Sequence, residues 1–129
     1  MKDLITGVSF EEITIVNSTN TAIAASSGSL PVFGTPFMIA LMEKATCSAV
    51  SEYLEEGETT VGTNINVAHS KASGIGDVIT AKATLVEADG RKLVFEVSAK
   101  DDKGNKIGSG TIERFVVSTE KFMRKVASK

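Results

Sequence analysis

The sequence is poor in several residue types that build familiar kinds of site. Its 129 residues include one cysteine, one histidine, one tyrosine and no tryptophan. A single cysteine excludes an internal disulfide framework and any metal site built from several cysteines. A single histidine likewise excludes a histidine-rich metal cage, so we expect no bound metal. The unpaired Cys47 suits a reducing compartment, which favours a cytoplasmic location.

The charge balance and the scarcity of aromatic residues count against nucleic acid. The formal net charge is −2 at pH 7, and aromatic residues make up 5% of the chain. Phosphate backbones bind basic surfaces, and single-stranded bases stack on aromatic side chains. The longest apolar run, residues 37–42, is far too short to span a membrane, and the first residues lack the apolar stretch of a signal peptide. We therefore expect neither a nucleic-acid partner nor a membrane association.

One segment, residues 35–54, has the pattern of a long helix. Thr35 followed by Pro36 resembles a helix N-cap with proline at the first helical position. In helical projection the polar side chains occupy one arc and apolar side chains cover most of the rest. The pattern predicts a mostly buried helix with one exposed edge.

Alternation of apolar and polar side chains predicts strands on both sides of this helix. We expect strands at residues 10–16 and 21–25, then four more near residues 63–69, 79–85, 93–99 and 106–117, and a short helix at residues 120–126. A single helix with so wide an apolar surface needs a sheet curved around it. Gly108 and Gly110 would let another backbone approach the last strand closely, or would mark a bend there.

These elements predict a single α+β domain over residues 1–129. The architecture that fits best is the hot-dog fold, an antiparallel sheet wrapped around one long central helix. A cystatin-like or cone-shaped α+β fold is the alternative. Hot-dog domains of this length usually pair, so analogy of fold predicts a homodimer.

Glu43 is the most informative charged residue of the predicted helix. It lies away from the polar arc, and its helical neighbours three and four residues away carry no charge. We expect a largely desolvated carboxylate, either a functional group or a glutamate that lies at a margin or pairs with an inward arginine. Arg114 is a candidate for that pairing, or for a substrate carboxylate, with a surface position as the alternative. Cys47 is expected to be buried and inert.

His69 and Thr35 complete the set of candidate groups. His69 falls on the strand face of Ile65 and Val67, which favours the core or a cleft. It is either a core histidine bonded to a backbone carbonyl or the partner of Glu43 in general-base chemistry. Thr35 is either a simple helix cap or a hydroxyl that helps helix N-terminal amides stabilise an oxyanion. A straight helix would place Glu43 about 12 Å beyond Thr35 along its axis.

Several segments together resemble the fluoroacetyl-CoA thioesterase family. The resemblance runs in order and spacing from about residue 32 to the C-terminus. It covers Val-Phe-Gly-Thr-Pro-Phe-Met-Ile-Ala-Leu-Met-Glu at residues 32–43, Tyr-Leu-Glu-Glu-Gly-Glu at 53–58, Val-Gly-Thr at 61–63, Val-Ala-His at 67–69, Ile-Gly-Ser-Gly-Thr-Ile-Glu-Arg at 107–114 and Glu-Lys-Phe at 120–122.

This resemblance implies a hot-dog fold, a homodimer and hydrolysis of acyl-CoA thioesters. It implies that Thr35, Glu43 and His69 are catalytic, and that Gly62 and Arg114 hold the acyl end of the substrate. Coenzyme A would then be part of the substrate, and no separate cofactor is expected.

The segment before the helix departs from the family. The fluoroacetyl enzyme has a longer, aromatic-rich lid there, whereas residues 26–30 are small and polar apart from one leucine. Phe33 is the one aromatic residue between Phe10 and Phe37 and is a candidate substrate contact. A short-chain acyl-CoA is therefore a safer substrate than fluoroacetyl-CoA. A non-catalytic acyl-CoA or small-acid binding protein is the main alternative, and a hydratase or dehydratase is a third.

Overall fold

The computed structural model describes residues 1–128. One antiparallel sheet carries a long helix on one face, and its strand order is β1-β3-β4-β5-β2. The α+β architecture predicted from the sequence is therefore confirmed. The elements are β1 (Ser9–Ile15), α1 (Thr35–Val50), a 3-10 turn (Ser51–Tyr53), β2 (Glu58–His69), β3 (Val78–Asp89), β4 (Lys92–Lys100), β5 (Lys106–Ser118) and α2 (Thr119–Ala127).

Helix α1 begins one residue earlier than a threonine cap would place it. Gly34 occupies the N-cap position without a side-chain cap, and Pro36 lies in the first turn, where its missing N–H costs nothing. Thr35 is therefore the first helical residue, and its hydroxyl does not cap the helix. The α-helix ends at Val50, and a 3-10 turn carries the chain to Tyr53.

The core lies between α1 and the face of the sheet against which it packs. Met38 and Met42 of the helix are completely buried, as are Phe95 and Leu93 of β4. Burial of each such side chain contributes roughly 1.5–3 kcal/mol. Alternate residues of β3, β4 and β5 complete the same cluster: Ile79, Ala81, Ala83, Leu85, Val97, Ala99, Ile107, Ile112 and Val116.

The two glycines of β5 mark close approaches. A Cβ on Gly108 would lie 2.6 Å from the Met38 sulfur, and a Cβ on Gly110 would collide with the Asn66 backbone carbonyl. Strand β2 and helix α1 can pack this closely against β5 only because Gly108 and Gly110 have no side chains. The close-approach interpretation of the glycine pair is therefore confirmed.

The predicted strand at residues 21–25 is wrong. Only an isolated bridge joins Thr21 to Phe33, and the chain then turns. The Thr21 hydroxyl accepts a hydrogen bond from the Ala24 N–H, and the Thr21 carbonyl accepts one from Ala25. A side chain that satisfies nearby backbone donors competes with a sheet ladder, and periodicity alone does not reveal this.

Strand β2 is one edge of the sheet, and its middle is exposed. Asn64, Ile65 and Asn66 lie at the surface, and Ile65 is 40% exposed. Ile65, Val67 and His69 do share one strand face, because the register is regular from Asn64 to His69, but Ile65 is more exposed than this face predicts. Within residues 1–128 no helix is long and apolar enough to cross a membrane.

Candidate active site

Thr35 and His69 meet where α1 begins and β2 ends. The Thr35 Oγ1 lies 2.8 Å from the His69 Nδ1. The sequence pattern left Thr35 as a possible simple cap and His69 as a possible core residue bonded to a carbonyl. The structure contradicts the cap, because Gly34 occupies the N-cap position, and it places the half-buried His69 against Thr35 instead of within the core. This distance is typical of a hydroxyl and the base that activates or orients it.

The second nitrogen of His69 is buried and unsatisfied. Its Nε2 has no hydrogen-bond partner among residues 1–128. Burial lowers the pKa of His69, and the nearby Lys71 backbone partly opposes this shift. The imidazole is therefore neutral at neutral pH and can accept a proton.

Glu43 and Arg114 form a second pair, further along α1. Arg114 Nη1 donates a 2.8 Å hydrogen bond to Glu43 Oε2. Arg114 is only 7% exposed, so the surface alternative for this residue is wrong. The Glu43 side chain is 36% exposed in the single chain, so it is less desolvated than its sequence position predicts. Pairing with an inward arginine, one of the alternatives for Glu43, is confirmed.

Gly62 faces this ion pair. A Cβ built on Gly62 would lie 2.9 Å from Glu43 Oε2 and 3.4 Å from Arg114 Nη1. Any larger residue would therefore move the carboxylate. The missing side chain leaves room beside the pair for a small group.

Phe33 lies beside the pair formed by Thr35 and His69. It is buried and lines a cavity of about 260 Å³ whose wall includes Thr35 and His69. The Phe33 N–H donates to the Ser73 carbonyl, and Gly34 N–H donates to the Asn20 carbonyl. These bonds fix the segment that leads into α1, so Phe33 belongs to the wall of this cavity.

One chain does not bring the two pairs together. Helix α1 runs without interruption from Thr35 past Glu43, which keeps them about 12 Å apart along its axis. Gly62 and His69 are likewise separated by about 23 Å along β2. Thr35 with His69, and Glu43 with Arg114 and Gly62, are therefore two half-sites, one at the end of β2 and one near its middle.

Sequence comparison assigns the family. The family model of the fluoroacetyl-CoA-specific thioesterases matches residues 16–120. A curated relative, the fluoroacetyl-CoA thioesterase of Streptantibioticus cattleyicolor, is 47% identical over 98 residues, which cover 76% of this chain and 70% of the relative. The chain belongs to this family. Membership confirms the family predicted from the sequence motifs and its reaction class, thioester hydrolysis.

Solved structures of this thioesterase family share the fold. One structure of the fluoroacetyl-CoA thioesterase FlK has a TM-score of 0.93 and 37% identity, and covers 99% of this chain and 98% of its own. A variant of that enzyme in complex with fluoroacetate and CoA has a TM-score of 0.86 and 38% identity, and covers 92% and 99%. A thioesterase superfamily member from Thermus thermophilus, with a TM-score of 0.90 and 23% identity over 99% and 96%, shares the hot-dog fold.

The candidate site contains one residue that sequence reasoning missed. Thr60 is buried and binds Arg114 twice, through its Oγ1 to Nε at 2.9 Å and through its carbonyl to Nη2 at 2.9 Å. These bonds use the two arginine nitrogens that Glu43 does not. Thr60 could have been found from the pairing of β2 with β5. That pairing puts Gly62 opposite Arg114, and Thr60 lies two residues before Gly62 on the same strand.

Two other features bear on the chemistry. Cys47 is exposed, so the expected burial of this thiol is wrong. Its nearest polar contact is the Thr60 hydroxyl at 4.0 Å. No group of three or more His, Cys, Asp or Glu side chains within residues 1–128 could hold a metal ion.

Proposed function

We propose that the protein hydrolyses short-chain acyl-CoA thioesters through Thr35, Glu43 and His69. The observation that carries this proposal is the 2.8 Å contact between Thr35 and His69 at the start of α1, in a chain of this family. A thiol such as that of cysteine has a pKa of about 8.5, far below that of water, so departure of a thiolate needs little acid assistance. A small site with few titratable groups is therefore sufficient, and no cofactor besides the CoA of the substrate is required.

We infer that two copies of the chain complete each site. The exposed middle of β2 carries no charge and no proline, and such an edge favours pairing with another strand. If two copies pair antiparallel about a two-fold axis between Ile65 and Asn66, Gly62 comes opposite His69 of the partner subunit. The half-site of Glu43 and Arg114 then faces the half-site of Thr35 and His69. In such a homodimer each site combines one half-site from each copy, so the 12 Å separation along α1 no longer keeps the groups apart.

In this arrangement Glu43 acts on the thioester either as the nucleophile or as the general base. Arg114 holds Oε2, and the other carboxylate oxygen has no partner among residues 1–128. Either that oxygen attacks the thioester carbonyl and forms an anhydride that water cleaves, or it removes a proton from an attacking water. In both routes the C–S bond breaks, and the products are a carboxylic acid and free CoA.

Thr35 and His69 stabilise the oxyanion that develops on the thioester carbonyl and assist proton transfer. If Nδ1 of His69 carries its hydrogen and donates to Thr35 Oγ1, the threonine hydrogen is free to bond the developing oxyanion. Of the backbone amides in the first turn, the Thr35 N–H is the one left to help, because Pro36 has no N–H and the Phe37 and Met38 N–H groups donate to the Gly34 carbonyl. In the other tautomer Nδ1 accepts the threonine hydrogen, so His69 assists proton transfer through Thr35, because its buried Nε2 does not reach solvent.

The acyl group is small and need not be fluorinated. Gly62 leaves limited space beside Glu43, since a single added Cβ would reach the carboxylate. The small side chains of residues 26–30 do not supply the aromatic lid of the fluoroacetyl enzyme. We therefore propose acetyl-CoA and similar short esters as substrates, and infer a cytoplasmic location from the unpaired Cys47.

Release of free thiol from a panel of acyl-CoA esters tests this function. We expect turnover of short esters by the wild type and losses of at least about 10²-fold in kcat/KM for Glu43→Gln and His69→Ala. Glu96→Gln on the convex face of the sheet is the matched control. Full activity in both site variants contradicts the assignment. Thermal stabilisation by an acyl-CoA without thiol release would favour the non-catalytic binding protein.

A further inference from the structure

Strand β2 contains a β-bulge directly after Gly62. In the pairing of β2 with β5, Gly62 lies opposite Arg114. The next paired residue of β2 is Asn64, which lies opposite Glu113, the residue directly before Arg114. Thr63 therefore has no partner of its own, and β2 carries one more residue here than β5 does. Beyond Asn64 the register is regular to the end of the strand.

The bulge changes which side chains of β2 face α1. In a regular strand, residues an odd number of positions apart face opposite sides of the sheet. Gly62 and His69 are seven positions apart, yet both face α1. A Cβ on Gly62 would lie 2.9 Å from Glu43 Oε2 of this helix. His69 contacts Thr35 of the same helix. Thr63 makes this possible, because one extra residue shifts the alternation of the strand by one position.

Glu113 holds this bulge from the outer face of the sheet, which points away from α1. Its neighbours Ile112 and Arg114 are buried on the α1 side. The Thr63 hydroxyl donates to Glu113 Oε2 at 2.7 Å and lies 3.2 Å from the Glu113 carbonyl oxygen. Lys92 Nζ lies 3.6 Å from Oε1, so a cation also contacts this carboxylate. A hydrogen bond to an ionised group is stronger than one between neutral groups.

We propose that Glu113 is a positioning residue for thioester hydrolysis and that it acts by fixing the bulge at Thr63. The bulge keeps Gly62 beside the carboxylate of Glu43 and keeps His69 on the same face of the sheet as Gly62. This inference rests on the function proposed above, to which it adds Thr63 and Glu113. Both side chains lie on the outer face, so they act through the backbone of β2 and not on the reacting atoms.

The position of the extra residue matters because β2 is an edge strand that pairs on one side only in the single chain. If the extra residue were Gly62, Thr63 would come opposite Arg114. Its side chain would then enter the space beside Glu43 that even one Cβ cannot occupy without moving the carboxylate. The hydrogen bond to Glu113 opposes this shift, because it requires Thr63 to face the outer side of the sheet.

The proposed pairing of two copies needs the same bulge. Residues that lie opposite each other in an antiparallel pair project their side chains to the same face of the sheet. Gly62 can therefore lie opposite His69 of the partner subunit only if both residues face the same side within each chain. On a β2 without the bulge, the partner's His69 would point away from Glu43, and the two half-sites could not meet.

Variants that remove the hydrogen bond but keep the side-chain size test the proposal. We expect Thr63→Val and Glu113→Met each to lower kcat for acetyl-CoA about five- to tenfold, with KM nearly unchanged because neither side chain contacts the substrate. Thr63→Ser keeps the hydroxyl and should restore the wild-type kcat. The double variant should be no slower than Thr63→Val, because the two side chains act through one bond. Wild-type kcat in Thr63→Val overturns the proposal.

Thr111→Val is the matched control, since this exposed threonine lies on the same outer face of β5, two residues from Glu113. Its kcat should equal that of the wild type. An equal loss in Thr111→Val and Thr63→Val overturns the proposal, because any threonine of this face would then matter as much.

Proton NMR follows the bulge without reference to activity. Nuclear Overhauser contacts across the pairs Gly62–Arg114 and Ile65–Ile112 report the strand register on either side of Thr63. In Thr63→Val the first contact should weaken and the second should persist. A lower kcat with both contacts intact overturns the proposal. If the wild type hydrolyses no thioester, the proposed function fails, and the same contacts still show whether the Thr63 hydroxyl fixes the bulge.

Discussion

Arg114 donates a 2.8 Å hydrogen bond to Glu43, and its other two nitrogens donate to Thr60. All three nitrogens of the guanidinium are therefore engaged within the protein. Family resemblance gives Arg114 a role at the acyl end of the substrate, and its bonds show that it also positions the carboxylate. An arginine held by a buried threonine keeps Glu43 in one orientation, which a nucleophile or a general base requires.

Thr60→Val should damage both stability and rate. The substitution keeps the shape of the side chain but removes the acceptor of Arg114 Nε, leaving a buried charged donor unsatisfied. We expect a loss of about 1–3 kcal/mol in the free energy of unfolding and a lower kcat. Denaturant titration and thioester turnover measure the two effects. Thr60→Ser should recover both, and the exposed neighbour Thr59→Val is the control. Wild-type kcat in Thr60→Val would show that Arg114 does not position Glu43.

Gly62→Ala should lower activity with little effect on folding. The new Cβ would lie 2.9 Å from Glu43 Oε2, so the flexible end of the carboxylate must shift. Displacement of a reacting group by even a fraction of an ångström reduces rate strongly, and we expect about a tenfold or greater loss in kcat with a nearly unchanged Tm. Gly74→Ala is the matched control, because its Cβ would meet nothing within 4 Å. Equal activities in the two variants would remove Gly62 from the site.

Mixing two inactive variants should restore activity. If each site joins Glu43 of one copy to His69 of the partner subunit, a mixed dimer of Glu43→Gln and His69→Ala contains one intact site. After unfolding and refolding of an equimolar mixture, about a quarter of the wild-type activity should return, since half of the dimers are mixed and each has one of two sites intact. Size-exclusion chromatography checks the dimer. No recovery in a mixture that does form dimers would mean that the sites are not shared.

The pH dependence of the rate should reflect a histidine with a lowered pKa. Burial shifts the His69 pKa below its ordinary value of 6.5, so the neutral imidazole needed as a base persists into mildly acidic solution. The kcat/KM for acetyl-CoA should rise with pH through a midpoint below 6.5 and level off above it. A midpoint above 6.5 would contradict the burial effect.

The same shift links stability to pH. Between the folded-state pKa and 6.5 the unfolded chain binds more protons at His69 than the folded chain does, so the free energy of unfolding falls as the pH is lowered through this window. Denaturant titrations at several pH values measure it. His69→Gln should flatten the dependence in that window, and an identical profile would show that another group causes it.

The sequence by itself determined the local elements and the candidate groups. The apolar period of residues 35–54 identified α1 because helical packing depends on side-chain spacing along one segment. The alternation in β3, β4 and β5 located the sheet for the same reason. Thr35, Glu43, His69, Gly62 and Arg114 could be named from residue type, position and motif resemblance.

Only the tertiary structure decided which groups meet. Thr35 contacts His69, and Glu43 contacts Arg114, because strand register and helix packing bring together residues that lie 34 and 71 positions apart. Thr60 was missed because its importance depends on the pairing of β2 with β5. The turn after Thr21 was missed because a side-chain hydrogen bond outweighed strand periodicity. Neither non-local contacts nor a single bond between a side chain and the backbone leave a periodic trace in the sequence.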